Sequence, residues 1–369
     1  MRGLCSIVFA AFTFVYLYYY QADVLTAAQH VLSKGMTHYN HFVGAVVITA
    51  CLVLLQCGVY RLCRHTGIAL GLTFVPSALC LAALTDVSLD GAGGISFCGW
   101  GIGLPVALGV YAMVVWLVSQ SGLGGILDTT GCVIRSLWVN LLAVLACAVG
   151  VCLIGNGDSN FHARMRAERL IVGADYDGAL DAIKALGTSD DPNMTMLAAY
   201  ALSRKGCMAD HLFEYPISRG SSALIPSEAA GTSLVMYPDS LMYGYMGGWF
   251  KQPMSASHYF GFLLSHHRLK RHAVDYWLCS LLMDKRLDRF AADVGRFYTI
   301  NDSLPRHYRE ALVLYKHRHA SPLVVYSDNV TEADFQDFQS MQEKYPNPSE
   351  RRTRLRDTYG NTYWYYYTY

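Results

Sequence analysis

The chain has 369 residues, 53% of them hydrophobic and 15% charged, with a formal net charge of +1. An ordinary soluble chain is about 25% charged, and the shortfall here is one-sided. Residues 1–155 carry only Arg2, Lys34, Arg61, Arg64, Arg135, Asp23, Asp86, Asp90 and Asp128, and no Glu. That excludes a simple cytosolic enzyme and a disordered protein. The lack of a basic face argues against a nucleic-acid partner.

Five apolar stretches have the length of a membrane span, about 20 residues at ~1.5 Å each. They run roughly over 4–20, 42–60, 66–85, 99–119 and 137–155, with no Lys, Arg, Asp or Glu in their interiors. The sequence therefore predicts an all-α chain: a bundle of about five transmembrane helices over 1–155, then a water-soluble helical domain over 156–369. The first stretch reads as an anchor rather than a cleaved signal. Tyr18, Tyr19 and Tyr20 suit the membrane–water interface. Cleavage after Ala22 would put Tyr20 where a small residue is needed.

Loop charges set the orientation. With the N-terminus in the cytoplasm, Arg2, Arg61, Arg64 and Arg135 lie inside and only Lys34 lies outside. Five crossings then put the C-terminal domain outside the cytoplasm, although Arg164, Arg166 and Arg169 pull the other way. Gly67 and Gly71 form a GxxxG pair that permits close helix packing. Pro76 and Pro105 are expected to kink their helices. Gly91–Gly103 reads as a flexible or partly re-entrant loop. Nine of the 11 Cys fall in the membrane half, where Cys behaves as a small apolar residue. Cys207 and Cys279 read as buried free thiols.

The first loop, residues 21–41, holds Asp23, His30, His38 and His41. His38 and His41 are three apart and would share one helix face, a spacing compatible with a metal. A carboxylate just outside a first span is also a feature of membrane glycosyltransferases that use lipid-linked donors. The favoured reading is plainer: an amphipathic interfacial helix broken at Ser33–Lys34–Gly35. Asp23, His38 and His41 are the weak catalytic candidates. No cofactor and no metal are assigned.

From Phe161 the pattern becomes amphipathic helices between turns. Gly173 and Gly206 are 33 residues apart, and at that offset Ala179–Leu180 falls on Leu212–Phe213. With Pro192 at a unit boundary, this is similar to tetratricopeptide (TPR) repeats over about 161–216, without the usual Trp. Residues 217–254 interrupt the pattern with a Ser-, Gly-, Met- and aromatic-rich insertion, expected to face the bilayer or lie between repeats. His266, His267 and His272 read as a solvated cluster, because adjacent histidines point to different helix faces. Arg306–His319 is a clear helix with Pro305 near its first turn. Another helix is expected to open at Thr331 in capping-box fashion. The terminal NTYWYYYTY is expected to pack into the last helical groove or lie at the membrane interface. Arg351, Arg352, Arg354 and Arg356 beside it suit lipid phosphates.

Three phrases carry a resemblance: QHVLSKGMTHYN (29–40), LPRHYREALVLY (304–315) and GNTYWYYY (360–367). In these the chain resembles an uncharacterised Bacteroidales family of polytopic membrane proteins with a TPR-like C-terminal half, known only as a domain of unknown function. The resemblance implies an inner-membrane protein of a Gram-negative bacterium, with its soluble half in the periplasm, and brings no catalytic residues. It makes the sequons at Asn193 and Asn329 fortuitous.

The leading expectation is a membrane-anchored interaction or scaffold protein, with a protein or peptide partner on the helical repeats and the bilayer as its other partner. The alternative is an envelope enzyme acting on lipid-linked sugars or lipids through the first loop. A transporter ranks last, since the spans carry no interior ionisable residue.

Overall fold

The computed structural model describes residues 2–63, 70–89, 95–97, 99–121, 133–187, 189–250 and 252–369. Arg64, Gly67, the 91–94 part of the glycine-rich stretch and the Arg135 side chain lie outside the described residues. Among the described residues helix dominates, and the one sheet pairs Ser88–Leu89 antiparallel with Ile95–Ser96. Contacts divide the chain into two compact units, residues 1–165 and 166–369.

The first unit opens with α1 (Arg2–Val15), which widens into a π-turn over Tyr16–Tyr20. In so wide a turn, residues four apart stand nearly above one another. Phe12, Tyr16 and Tyr20 accordingly stack at 5.5 and 5.7 Å. Helix α2 (Ala22–Leu32) follows, closed by the Gly35 N–H donating to the His30 carbonyl at 2.8 Å. Then come α3 (His41–Cys63), a 3-10 turn (Leu70–Phe74) leading into α4 (Val75–Thr85), α5 (Trp100–Ser121) and α6 (Val133–Ile154).

Among the described residues, four helices are long and apolar enough to cross a membrane: Arg2–Tyr20, His41–Cys63, Trp100–Gln120 and Ser136–Ile154. The described part of the third expected span, Leu70–Thr85, is a shorter apolar helix. Pro76 lies in the first turn of α4, where its missing N–H costs nothing, so it starts that helix instead of kinking it. Pro105 lies inside α5 as expected.

Neutral polar groups tie these helices together. The Gln56 amide donates to Thr73 Oγ1 at 3.1 Å, and Ser77 Oγ donates to the Leu52 carbonyl at 2.9 Å. Gly71 packs hard on α6: a Cβ there would sit 2.5 Å from Ala143 Cβ. Its N–H donates to Asn140 Oδ1 at 2.7 Å.

The second unit continues from α7 (Ser159–Val172) through α8 (Tyr176–Ala185), α9 (Pro192–Lys205) and α10 (Met208–His211). Caps fix their ends: Asp175 accepts from the Gly178 N–H, and Asp191 from the Asn193 N–H, each at 2.9 Å. Helix α9 stops at Gly206, whose φ of 73° suits glycine. Then follow α11 (Asp239–Met246), α12 (Ala256–Ser265), α13 (Val274–Met283), α14 (Leu287–Val294), α15 (Arg306–Arg318), α16 (Asn329–Lys344), α17 (Pro348–Tyr359) and α18 (Tyr363–Thr368). Consecutive helices from α12 to α18 pack on one another, while α10 crosses back to α13 and α15. Helix α9 is buried all the way round from Asn193 to Ser203, so it forms the centre of the unit. Helix α16 opens at Asn329 and not at Thr331. Asp328 is the cap, accepting from the Val330 and Thr331 N–H groups at 3.2 and 3.3 Å.

Residues 217–254 hold two 3-10 turns as well as α11. Met236, Met242 and Met246 are buried inside this unit, while Leu241 and Trp249 are exposed. The reason is backbone demand. Glu168 accepts from the Val235 and Met236 N–H groups at 2.8 Å each, and Asn193 Oδ1 accepts from Ser233 N–H at 2.9 Å. Cys207 and Cys279 are both free thiols.

Candidate functional site

The first-loop candidates are only partly gathered. Asp23 lies in the first turn of α2. His41 opens α3, and its Nε2 is 3.2 Å from Thr26 Oγ1, one turn along α2 from Asp23. His38 is exposed in the connection between these helices. The His30 ring instead lies over Gly35, whose Cβ would come within 3.2 Å of it. Among the described residues no group of three His, Cys, Asp or Glu is placed to hold a metal ion. His266 and His267 are exposed, and His272 Nε2 is 2.7 Å from the Tyr245 carbonyl.

The structure does join two of the sequence phrases. Helix α15 carries Arg306, His307 and Glu310, whose i, i+3 and i, i+4 spacing places them on one face. Glu310 is buried, and Arg306 Nε donates to its Oε1 at 2.9 Å. Its Oε2 accepts the Tyr363 N–H at 2.7 Å and lies 2.9 Å from His307 Nδ1. The Glu310 backbone carbonyl takes the Trp364 indole N–H at 2.8 Å. RHYRE is thus the clamp and NTYW the strap it holds.

Further along, the Tyr363 hydroxyl donates to the Leu282 carbonyl at 3.2 Å, and the Tyr366 hydroxyl to the Met283 carbonyl at 2.7 Å. These are carbonyls of the last turn of α13; the Leu282 carbonyl also accepts the Lys285 N–H at 3.0 Å. Phe213 fills the space between, with its ring 4.9 Å from both His307 and Tyr366. The His307 imidazole is fully enclosed, so it has no access to a substrate and serves the packing.

Other carboxylates act as posts in the same unit. Asp275 Oδ1 accepts from the Tyr298 and Tyr308 hydroxyls at 2.7 and 2.8 Å. Burial raises its pKa, with the two hydroxyls opposing that shift. Asp284 takes Ser221 Oγ and Ser257 Oγ at 2.8 and 2.9 Å, fastening the 220–224 turn to the end of α13. Asp293 accepts the Trp277 indole N–H at 3.1 Å and pairs with Arg289 and Arg296. Sequence reading passed over these residues. The usable signal was a lone Asp in a strongly apolar helix, as in VDYWLCSLLM, since a buried acid has to find donors.

Residues 250–369 match a family of unknown function, DUF6057. The match spans α12 to α18 and includes both halves of the clamp and strap, while QHVLSKGMTHYN lies outside it. No curated protein and no solved structure matches the chain.

Proposed function

We propose that this chain is a multi-pass membrane protein of a bacterial envelope, whose C-terminal unit is a helical module for protein or peptide partners. The observation that carries the membrane reading is the apolar outer surface of the long helices. Leu54 is 70% exposed, Trp116 60% and Leu153 81%. Each such side chain gains about 1.5–3 kcal/mol on leaving water, and a bilayer supplies that gain without a protein partner. The chain-order packing of α12 to α18 supports a helical module, because stacked helices present a continuous surface to a ligand. The TPR-like reading of 161–216 is supported by α8 packing on α9. Orientation follows the loop charges: N-terminus in the cytoplasm, five crossings with the shorter Leu70–Thr85 helix counted beside the four long ones, and the module in the periplasm. A phosphatase active only outside and a fluorescent protein that matures only inside, each fused after Tyr369, test this. Phosphatase activity without fluorescence is expected, and fluorescence alone would overturn the orientation. In-cell crosslinking is expected to capture a discrete partner on residues 166–369.

A second reading, an enzyme acting on lipid-linked sugars or lipids, is favoured by one feature. An apolar cavity of about 390 Å³ lies beside α2, lined by Leu25, Leu32, Tyr39, Leu84 and Phe97 among others. Its size suits part of a lipid chain. Asp23→Ala and His38→Ala variants with unchanged phenotype would remove this reading.

A further inference from the structure

A second cavity, of about 560 Å³, opens beside the strap. Its walls come from Gly187, Ser189 and Asp190, the Phe213–Ile217 segment, Lys285, α17, Gly360 and α18 with Tyr369. That volume is in the range of small-molecule sites, too small for a folded partner. Two features of its lining fix the chemistry of an occupant.

The first is charge. Lys285, Arg352 and Arg356 line the cavity and are exposed, and none of the three forms an ion pair among the described residues. Of the two lining acids, Glu214 is already held by Arg306 at 3.4 Å and by His211 at 3.0 Å. Asp190 is left against three cations, so the cavity is electropositive. Lys285 is set in place by a left-handed backbone, φ 57°, at the end of α13.

The second is the aromatic wall. Tyr365, Tyr366 and Tyr369 all line the cavity. The Tyr366 hydroxyl is consumed by the Met283 carbonyl, so its ring is held rigid, and Lys285 Nζ lies 5.7 Å from the ring centre. Tyr365 and Tyr369 lie with ring centres 5.2 Å apart. The Tyr369 hydroxyl is buried and lacks a hydrogen-bond partner among the described residues. A buried hydroxyl without a partner is costly, and a polar ligand relieves it. Fixed tyrosine rings beside unpaired cations suit a ligand with a ring-shaped, hydroxyl-bearing body and an acid group.

We infer that this cleft binds an acidic saccharide. The acid group sits among Lys285, Arg352 and Arg356, the sugar ring lies on the tyrosines, and a sugar hydroxyl meets Tyr369. Bidentate guanidinium contacts serve phosphate and carboxylate alike, so sugar phosphates and uronic acids share this chemistry. Every residue used lies within residues 166–369, so the inference stands apart from the membrane and partner readings above.

Calorimetric titration of the full chain in detergent micelles tests it, with glucose 6-phosphate, glucuronic acid, glucose and inorganic phosphate as probes. At least one of the two acidic sugars is expected to bind, and which one does separates the phosphate source from the carboxylate source. Glucose and inorganic phosphate are expected to bind at least ten-fold more weakly than that sugar. The R352Q/R356Q double variant should lose at least ten-fold of its affinity with an unchanged circular dichroism spectrum. Lys285→Met provides a second variant on a different element. Three outcomes would overturn the inference: neither acidic sugar binding at millimolar concentration, inorganic phosphate matching the sugar phosphate, or the charge variants retaining full affinity.

Discussion

The two units differ in whether they bury charged groups beside neutral ones. Among the described residues of the apolar helices, the buried polar side chains are neutral: Thr13, Gln21, Gln56, Thr73, Ser77, Thr85 and Asn140. All but Thr13 bond each other or the backbone, as Gln21 Nε2 does to the Asn156 carbonyl at 2.9 Å. Residues 166–369 also bury neutral groups such as Asn193, Thr195 and Thr232, but add carboxylates: Glu168, Asp293 and Glu310 are buried and Asp275 is half-buried. These four, and Asp284 at the surface, each accept from two or more donors. A carboxylate gives the stronger bond but must be desolvated, which is tolerable only where several donors surround it. An amide or hydroxyl loses far less on leaving water. The contrast teaches that the choice of hydrogen-bonding residue follows the solvent around each unit as much as the geometry within it.

Removing Glu310 should break this contrast most severely. Glu310→Ala strips the acceptor from Arg306 and the Tyr363 N–H at once. It should cost about 3–5 kcal/mol and lower the melting temperature by ~10 °C, read by thermal denaturation in detergent. Next comes a paired test at two leucines of similar exposure, Leu54 at 70% and Leu323 at 76%. Leu54→Arg should cost ~2.5–3.5 kcal/mol of insertion and reduce the carbonate-resistant membrane fraction. Leu323→Arg should change stability by no more than ~0.5 kcal/mol. Equal effects would mean that both leucines meet the same solvent.

A smaller effect, ~1–3 kcal/mol, is expected from Gly71→Ala, since its Cβ would lie 2.5 Å from Ala143 Cβ and 2.9 Å from the Asn140 carbonyl. The melting temperature in detergent reads it. The smallest is a pH effect at Asp275, whose pKa burial raises from its ordinary 3.8. A raised acid contributes stability that is complete below the unfolded value and is lost as pH rises through the folded one. Asp275→Asn keeps an acceptor for both tyrosines without that loss. The variant should therefore melt higher than the parent at pH 8, with the advantage shrinking toward pH 4.

Helix and its broad placement were readable because they depend on local pattern. The Ser33–Lys34–Gly35 break, the helix after Pro305 and the long apolar segments all rest on a few neighbouring residues. Three features escaped, one of them through distant partners. Tyr16–Tyr20 reads as the end of a helix, and its π-turn shows in the backbone, where the Gln21 N–H donates to the Tyr16 carbonyl at 2.9 Å. Met236, Met242 and Met246 look exposed in a glycine- and serine-rich run, and their burial follows from Glu168 and Asn193 drawing that backbone inward. Asp328 outcompetes Thr331 as the cap of α16 because its side chain reaches two successive N–H groups. Of the candidate residues, the tail was legible as a groove-filling aromatic segment, but its clamp was not. LPRHYREALVLY and GNTYWYYY are separate in sequence, and nothing local says that Glu310 meets Tyr363.

That meeting has a consequence for how the chain is made. The strap bonds bridge 53 residues from Glu310 to Tyr363 and 83 from Met283 to Tyr366. Contacts of such span form late, after the loop between them is complete. Until residues 363–366 leave the ribosome, Phe213, Phe335 and Phe338 have no Tyr363 or Trp364 ring to meet. The nascent module is then at its most exposed to aggregation and to chaperones just before its last turn of helix arrives.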